Sequence, residues 1–577
     1  MKYKILISDK NYQNYYFVNM ENNEDAVLEK KVDPIQEKMF SKDIFSLENE
    51  SIILHYSHVR SGITIAGILL LENNKTFGRT LNKKRLLYKC IPDDKHLPSF
   101  LVPYDVKIGF SKIQKNKYVT FKFDSWNSTH PQGILLEVLG DVGDPNIFYE
   151  YQLYCKNLHV SITNFTNKTK DLFLKKTNDE YIQQILKNPD FKIEDRRDQT
   201  VFSIDPINSL DFDDAFGIIE KDDGSYMISI YIANVYLWLE VLNLWKSFSS
   251  RVSTIYLPDR KRPMLPTILS DNLCSLQENQ TRFAFTMDIF LDRDCNIVRT
   301  EYKNTAIKVF KNYKYEESDL LYNCTPYNKL LEITMKQDPK TINSHDVVSF
   351  WMVYMNKSCG LWMMENEIGI FRSVYYKNKF MFESLESNGE LDLLPLETQR
   401  VIKTWNNTAG LYVVYNKNAV LEHEIMKMKC YIHITSPIRR IIDLLNQIWI
   451  MKSMNLINNQ SDDCCHFFDH WLHKIDYIND SMRTIRKIQS DCELVHRFFN
   501  EIHYGDSNIH TMYEGTVFGK VVKNDGSIHY MVFIESIQLL SRINTHIDVA
   551  NYSKQSFRLF LFEDEYNVKK IIRLQMM

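Results

Sequence analysis

The ten cysteines form no CxxC pair and no regular framework, and the amino terminus, MKYKILISDK, lacks the apolar run of a secretion signal. A disulfide scaffold is therefore excluded, and a reducing compartment, cytoplasmic or alternatively nuclear, is expected. Charge of neither sign dominates: 70 Lys+Arg stand against 73 Asp+Glu, a net −3. That excludes a global basic field and confines any nucleic-acid surface to a local patch. Internal repeats and low-complexity tracts are also absent. The one run approaching membrane-spanning length is Met227 to Trp245, MISIYIANVYLWLEVLNLW. Asn234 and Glu240 interrupt it, and it follows a DG turn signal, so a buried strand leading into a helix is expected, with no membrane partner. What is present is 44% hydrophobic and 13% aromatic residues over 577 positions, the composition of a globular protein. At about 150 residues each, there is room for roughly 3 to 5 domains.

From Ile53 to about Leu158 short alternating segments recur, such as GITIAGILLLENNK, KNKYVTFKFDSW and GILLEVLG, which predict small β-barrels. The basic stretch NKKRLLYK at Asn82 to Lys89 would either line a groove for a single strand or form a solvated hairpin. Leu172 to Arg197 reads as a helical, polar linker. Val201 to about Met454 mixes strands and long helices without a Pro/Gly/Ser-rich break, as one large α+β domain does. Asp476 to Ile502 predicts a long helix, and strand alternation returns after Thr511, predicting a further small barrel.

The chemistry concentrates in SIDPINSLDFDD, Ser203 to Asp214. Asp211 and Asp213 share one face of an extended segment, Asp214 points the other way, and a turn at Pro206 and Asn208 can fold Asp205 back against them. Two carboxylates about 4 Å apart repel by about 4 kcal/mol at an effective dielectric near 20, so four beside a core strand call for a cation. Oxygen ligands suit Mg²⁺, with Mn²⁺ as the alternative. Two such ions about 4 Å apart can activate water and stabilise a leaving oxygen in phosphodiester cleavage. A solvated acidic turn is the other reading.

The second constellation is TSPIRRIIDLLNQIWIM from Thr435. Ser436 as N-cap and Pro437 at the first helical position predict a helix start, with Arg439 and Arg440 in the first turn. The helix dipole disfavours cations there, whereas helix-end amides and arginines together suit a phosphate. An ion pair with Asp443 is the alternative.

The run IDPINSLDFDDAFGI, followed by YIANV, VSTIYLPDRKRPMLPTILSDNLCSL and YIHITSPIRR, resembles the catalytic (RNB) domain of the ribonuclease II/ribonuclease R exoribonuclease family over about Asp198 to Met454. DSWNSTHPQGILLEVLGDVGD resembles the second cold-shock-type barrel of the eukaryotic, exosome-type members, and with no stretch ahead of the barrels resembling their N-terminal endonuclease domain, a separate endonuclease activity is not expected. The resemblance implies a multidomain α+β fold, a central RNB catalytic domain flanked by small OB-fold and cold-shock-type barrels. The division would be 1–90 (N-terminal region with a cold-shock-like barrel), 91–165 (second cold-shock-like barrel), 166–197 (helical linker), 198–454 (catalytic domain), 455–510 (C-terminal helices) and 511–577 (OB-fold RNA-binding domain). It further implies a processive 3′→5′ exoribonuclease that hydrolyses single-stranded RNA to nucleoside 5′-monophosphates with Mg²⁺, as a monomer or within an RNA-processing complex. Asp205, Asp211, Asp213 and Asp214 match the metal-binding aspartates, Asp213 being the one most tied to catalysis. Arg439 matches the arginine on the scissile phosphate, with Arg440 beside it as an RNA contact. Tyr256 and Tyr315 match tyrosines that stack on nucleotides.

The chain departs from the family pattern at Tyr231 and Asn234 in YIANV, around Ser349 where a glutamate pair is usual, at Gln489, and at Ile441 after the arginine pair. These departures motivate the alternative of a degenerate member acting as an RNA-binding scaffold. An unrelated metal-dependent DNA nuclease is a further alternative. DDCCHFFDHWLH could offer zinc ligands, but an amphipathic helix packed through its aromatics is expected, because adjacent cysteines diverge on a helix.

Overall fold

The computed structural model describes the chain except for residues 29–31, 49–50, 73–74, 81–83, 106–113, 376–392, 396–397, 400, 403–409, 505–511, 524 and 564–569. Strands β1 (Lys2–Ile7), β2 (Tyr15–Asn19), β3 (Asp25–Ala26), β4 (Ile44–Glu48) and β5 (Ser51–Tyr56) form one sheet in the order β3-β2-β1-β4-β5. Next, β6 (Ile65–Leu69), β7 (Leu86–Pro92), β8 (Phe100–Tyr104), β9 (Lys117–Ser125) and β10 (Gln132–Asp141) close into a barrel. This corrects the expected division: residues 1–56 make an open sheet, and the boundary drawn at 90 falls inside β7. The sheet has no need to close on itself, because Ile5, Phe40 and Phe45 share one core with Phe100, Phe121 and Trp126 of the barrel. Of the basic stretch 82–89, residues 82–83 lie outside the described residues, and the rest leads into β7.

Helices α1 (Pro145–Cys155), α2 (Thr163–Phe173) and α3 (Asn178–Leu186) follow. Asp144 caps α1 by accepting from the Asn146 amide, and Thr177 with Glu180 forms a capping box on α3. The expected linker is no tether, since Tyr181, Ile182 and Ile185 are buried in the main core. Its end, from Ile193, already belongs to a second closed barrel of β11 (Ile193–Asp205), β12 (Asp214–Glu220), β13 (Tyr226–Ala233), β16 (Thr281–Leu291) and β17 (Ile297–Lys314). Here β11 pairs with β17 in parallel. A buried, two-pronged ion pair, Arg196 to Asp288 at 2.7 and 2.6 Å, ties β11 to β16.

Between β13 and β16 lie α4 (Val235–Val241) and the hairpin β14 (Ile255–Tyr256) with β15 (Lys261–Arg262). The apolar run from Met227 is thus a strand entering a helix, as its interrupting Asn234 suggested. After β17 come α5 (Ser318–Asn323), α6 (Thr325–Gln337), α7 (Ser344–Glu365), the pair β18 (Ile370–Ser373) and β19 (Leu411–Val414), then α8 (Ile441–Ser453), α9 (Asp462–Leu472) and α10 (Ile475–Tyr504). Phe467 and Trp471 bury one face of α9 against the main core. Strands β20 (Tyr513–Val522), β21 (Ile528–Ile534), β22 (Leu539–Thr545), β23 (Lys554–Glu563) and β24 (Lys570–Met576) end the chain as an antiparallel sheet whose outer strands β22 and β24 come together. Among the described residues no helix is long and apolar enough to cross a membrane.

Two of the sequence departures are fold residues. Tyr231 lies over Gly217, where a Cβ would meet its ring at 3.2 Å, and its hydroxyl donates to Gln199 Oε1 at 3.1 Å. Asn234 is fully buried and caps α4, accepting from the Leu237 amide at 3.3 Å while its Nδ2 donates to Asn304 Oδ1 at 3.2 Å. Asn234→Ala is expected to lower unfolding free energy in urea by about 1–2 kcal/mol, the cost of a lost cap. Divalent-ion binding should stay at the wild-type level, and a loss of metal affinity without a loss of stability would contradict this assignment.

Candidate active site

Asp205 ends β11 and Asp214 opens β12, so the barrel itself sets these two carboxylates side by side. The loop between them turns through Asn208, at φ 72°, a conformation asparagine tolerates. Ser275 pins the loop, donating to Leu210 O at 2.8 Å and accepting from the Phe212 amide at 3.0 Å. Arg282 in turn holds Ser275 O at 2.7 Å, and the Ala233 amide holds Asp213 O at 2.8 Å. The loop backbone is fixed at several points, which aims Asp211 and Asp213 into the same cavity as Asp205 and Asp214.

That cavity measures about 800 Å³ and is lined by all four aspartates, Tyr256, Tyr315, Lys261, Arg439 and Arg440. Asp213 is buried, accepting from the Ile438 amide at Oδ1 and from Arg439 Nε at Oδ2, each at 3.0 Å. Asp211 accepts from the Tyr256 hydroxyl at 3.1 Å and from Lys261 Nζ at 2.7 Å. Tyr256 is 41% exposed, whereas the Tyr315 ring is stacked on His345 at 3.5 Å and its amide donates to Asp205 O at 3.1 Å. Apolar Val348 and Met352 of α7 form the wall near exposed Ser349, and Asn356 is engaged by the Ile434 amide at 3.0 Å.

The predicted helix start is corrected by this geometry. Residues 437–439 form a turn and α8 begins at Ile441, with Arg440 extended before it. Neighbouring backbone wins: the Ile441 amide bonds Val252 O and the Thr254 amide bonds Arg439 O, drawing 439–441 alongside the segment that leads to β14. The Ile438 amide consequently meets a carboxylate of the protein itself. Arg440 donates to buried Asp443 at 2.8 Å, and its Nε is buried without a partner. Behind it, burial and the charges of Arg440 and Arg372 hold His433 well below the usual histidine range, so this imidazole is neutral. Lys261, Ser275 and His433 escaped sequence reasoning because each acts on a residue distant in the chain, and a lone Lys, Ser or His carries no local periodic signal.

Burial pushes the carboxyls of Asp205 and Asp214 up, the negative neighbour Asp214 reinforcing the effect at Asp205 and Arg439 opposing it at Asp214. Burial likewise raises Asp213 to about 7 despite Arg439. One oxygen each of Asp205 and Asp214, Oδ2, is buried with no hydrogen-bond donor. Such orphaned anionic oxygens are costly unless a cation meets them, and an all-oxygen donor set fits Mg²⁺ or Mn²⁺. Among the described residues no three acidic, His or Cys side chains form a ready-made metal cluster, and Asp211 and Asp213 are turned to Lys261 and Arg439.

A pH dependence follows. Carboxyls whose folded values lie above the ordinary value of about 3.9 hold extra protons in the folded chain, so metal-free stability falls as pH rises. The window runs from the ordinary value to the raised values, about 7 for Asp213. In a thermal melt the metal-free protein should lose stability from pH 5 to pH 8, and Mg²⁺ should restore more of it at pH 8 than at pH 5. A flat profile with no response to Mg²⁺ would refute the role given to these oxygens.

Over residues 193–337 the sequence matches the RNB domain, and over residues 87–150 the Dis3-like cold-shock domain 2 (CSD2). Ribonuclease R of Ureaplasma parvum is 31% identical over 141 residues, 24% of this chain and 20% of its own length. Ribonuclease R of Aquifex aeolicus is 27% identical over 248 residues, 41% and 34% of the two chains. The exosome complex exonuclease RRP44 of Mus musculus is 26% identical over 240 residues, 41% and 24%. The chain thus spans between 20% and 34% of these curated relatives. Mycoplasma genitalium RNase R in complex with ribose methylated single-stranded RNA shares the fold over 100% of both chains, with TM-score 0.66 at 16% identity. Yeast Ssd1, a pseudonuclease, does so over 97% of this chain and 80% of that one, with TM-score 0.57 at 13% identity.

Proposed function

From a chain that carries an RNB domain and a Dis3-like cold-shock domain, related to ribonuclease R and to RRP44, we propose a metal-dependent 3′→5′ exoribonuclease. It hydrolyses single-stranded RNA processively to nucleoside 5′-monophosphates. The observation that carries this reading is the pair of unpartnered oxygens on Asp205 and Asp214, facing the Asp213 and Arg439 pair in one cavity.

Asp205 and Asp214 would hold Mg²⁺, or Mn²⁺ in its place, with Asp211 and Asp213 beside them. When bound, the ion supplies a Lewis acid and lowers the pKa of water. The chain's own residues divide the remaining work. Asp213, raised to about 7 by burial, is suited to accept a proton from the attacking water at Oδ2. The guanidinium of Arg439, fixed between Asp213 and Ser436 Oγ at 2.9 Å, stabilises charge on the phosphate. Arg440 adds positive charge from the cavity wall. Tyr256 and Tyr315 offer ring surface to bases without reading sequence. The β6–β10 barrel and the C-terminal sheet gather the strand, and a monomer in the cytoplasm or nucleus, alone or within an RNA-processing complex, suffices.

The test is digestion of a 5′-labelled single-stranded RNA with Mg²⁺, resolved at single-nucleotide spacing beside its deoxy counterpart. Conversion to a very short 5′ end product is expected; preferential attack on the DNA would sink the RNA reading. A second reading, an RNA-binding scaffold, draws on the fold shared with Ssd1 and on the cations already set against Asp211 and Asp213. Binding without cleavage under every divalent ion would favour it.

A further inference from the structure

Resting on the metal-dependent reading above, we infer that Lys261 is a resident cation of the catalytic centre, holding Asp211 where a second divalent ion would otherwise sit and leaving one ion for Asp205 and Asp214.

The four aspartates are not equivalent. Both oxygens of Asp211 are taken, Oδ1 by Lys261 Nζ at 2.7 Å and Oδ2 by the Tyr256 hydroxyl at 3.1 Å. Each oxygen of Asp213 likewise accepts one hydrogen bond, from the Ile438 amide and from Arg439, which leaves a second lone pair on Oδ2. Only Asp205 and Asp214, of the four, keep a buried oxygen without a donor. With Lys261 set against Asp211, and also against Asp271 outside the four, and Arg439 set against Asp213, Asp205 and Asp214 are the pair of the four left for a divalent ion.

Lys261 is built into this place. Tyr256 and Lys261 are direct partners across the β14–β15 hairpin, so both project from one face of it toward Asp211. The ammonium also reaches Asp271 Oδ1 at 2.9 Å, and its side chain is 23% exposed. The hydrogen bonds to Asp211 and Asp271 hold the ammonium between two carboxylates. The next residue, Arg262, grips Asp259 and reaches Glu150 of α1 at 3.0 Å, anchoring the hairpin to the first barrel's trailing helix. Withdrawing Lys261 to admit a metal at Asp211 would break bonds to two carboxylates and disturb this anchored hairpin. A fixed ammonium also exchanges with no solvent ion, so this half of the site would not depend on free metal concentration.

The test is Mn²⁺ titration of the full chain, with free Mn²⁺ read by electron paramagnetic resonance. Wild type should bind one tight Mn²⁺ per chain, Lys261→Arg one, and Lys261→Met a second, or the first at least tenfold more tightly. Asp211→Asn should change affinity less than threefold and Asp205→Asn should abolish tight binding; these two decide the matter if Lys261→Met fails to fold. Two tight ions in the wild type, Lys261→Met binding like the wild type, or a tenfold loss in Asp211→Asn would each overturn the inference. A wild type that binds no Mn²⁺ and leaves RNA intact would instead overturn the metal-dependent reading itself.

Discussion

Asp213→Asn should slow RNA hydrolysis by at least about 1000-fold, within the range general-base and metal-site contributions reach together. The amide retains an acceptor for the Ile438 N–H, so the loop and the turn at 437–439 keep their contact. What it loses is the anionic oxygen facing Arg439 and the capacity to take a proton. Stability should move the other way. The native carboxyl is 4% exposed and pushed up to about 7, so at pH 8 its charge is held against a desolvation cost that asparagine does not carry. Melting at pH 8 in EDTA should therefore be unchanged or higher in the variant while single-turnover cleavage collapses. Cleavage within tenfold of wild type would remove Asp213 from the chemistry.

Arg439→Met should cost about 100- to 1000-fold in cleavage rate, the loss typical of one preorganised donor to a developing anion. The variant also deprives Asp213 of the cation that lowers its pKa, so Asp213 should titrate higher still. If ionised Asp213 is the working form, the acidic limb of the pH–rate profile must shift toward alkaline pH. A rate loss with an unmoved limb would confine Arg439 to the phosphate. Arg439→Lys should recover little, since one ammonium cannot engage Asp213 and Ser436 as Nε and Nη2 do.

The fold was legible where local pattern governs. The strand-to-helix run from Met227 and the helix at Ile475–Tyr504 follow from composition and periodicity, and both are present. Barrel closure was not legible in the same way. The second barrel depends on parallel pairing of β11 with β17 across about a hundred residues, and no alternation within either strand names its partner. The open N-terminal sheet was misread for a similar reason, its missing closure being supplied by Phe100 and Phe121 of another element. The start of α8 slipped from Ser436 to Ile441 because backbone partners at Val252 and Thr254 outbid a good cap sequence.

The candidate site divides along the same line. By itself the sequence determined which charges are present, four aspartates bracketing a turn and an arginine pair at a helix entrance, because residue type and short spacing are local properties. Tertiary structure alone decided which of those charges are already answered. Asp211 meets Lys261 across 50 residues and Asp213 meets Arg439 across 226, while Asp205 and Asp214 are left with buried oxygens that no donor reaches. The reason is that Coulomb attraction and desolvation depend on distance through space and on burial, and neither is set until the barrel has closed.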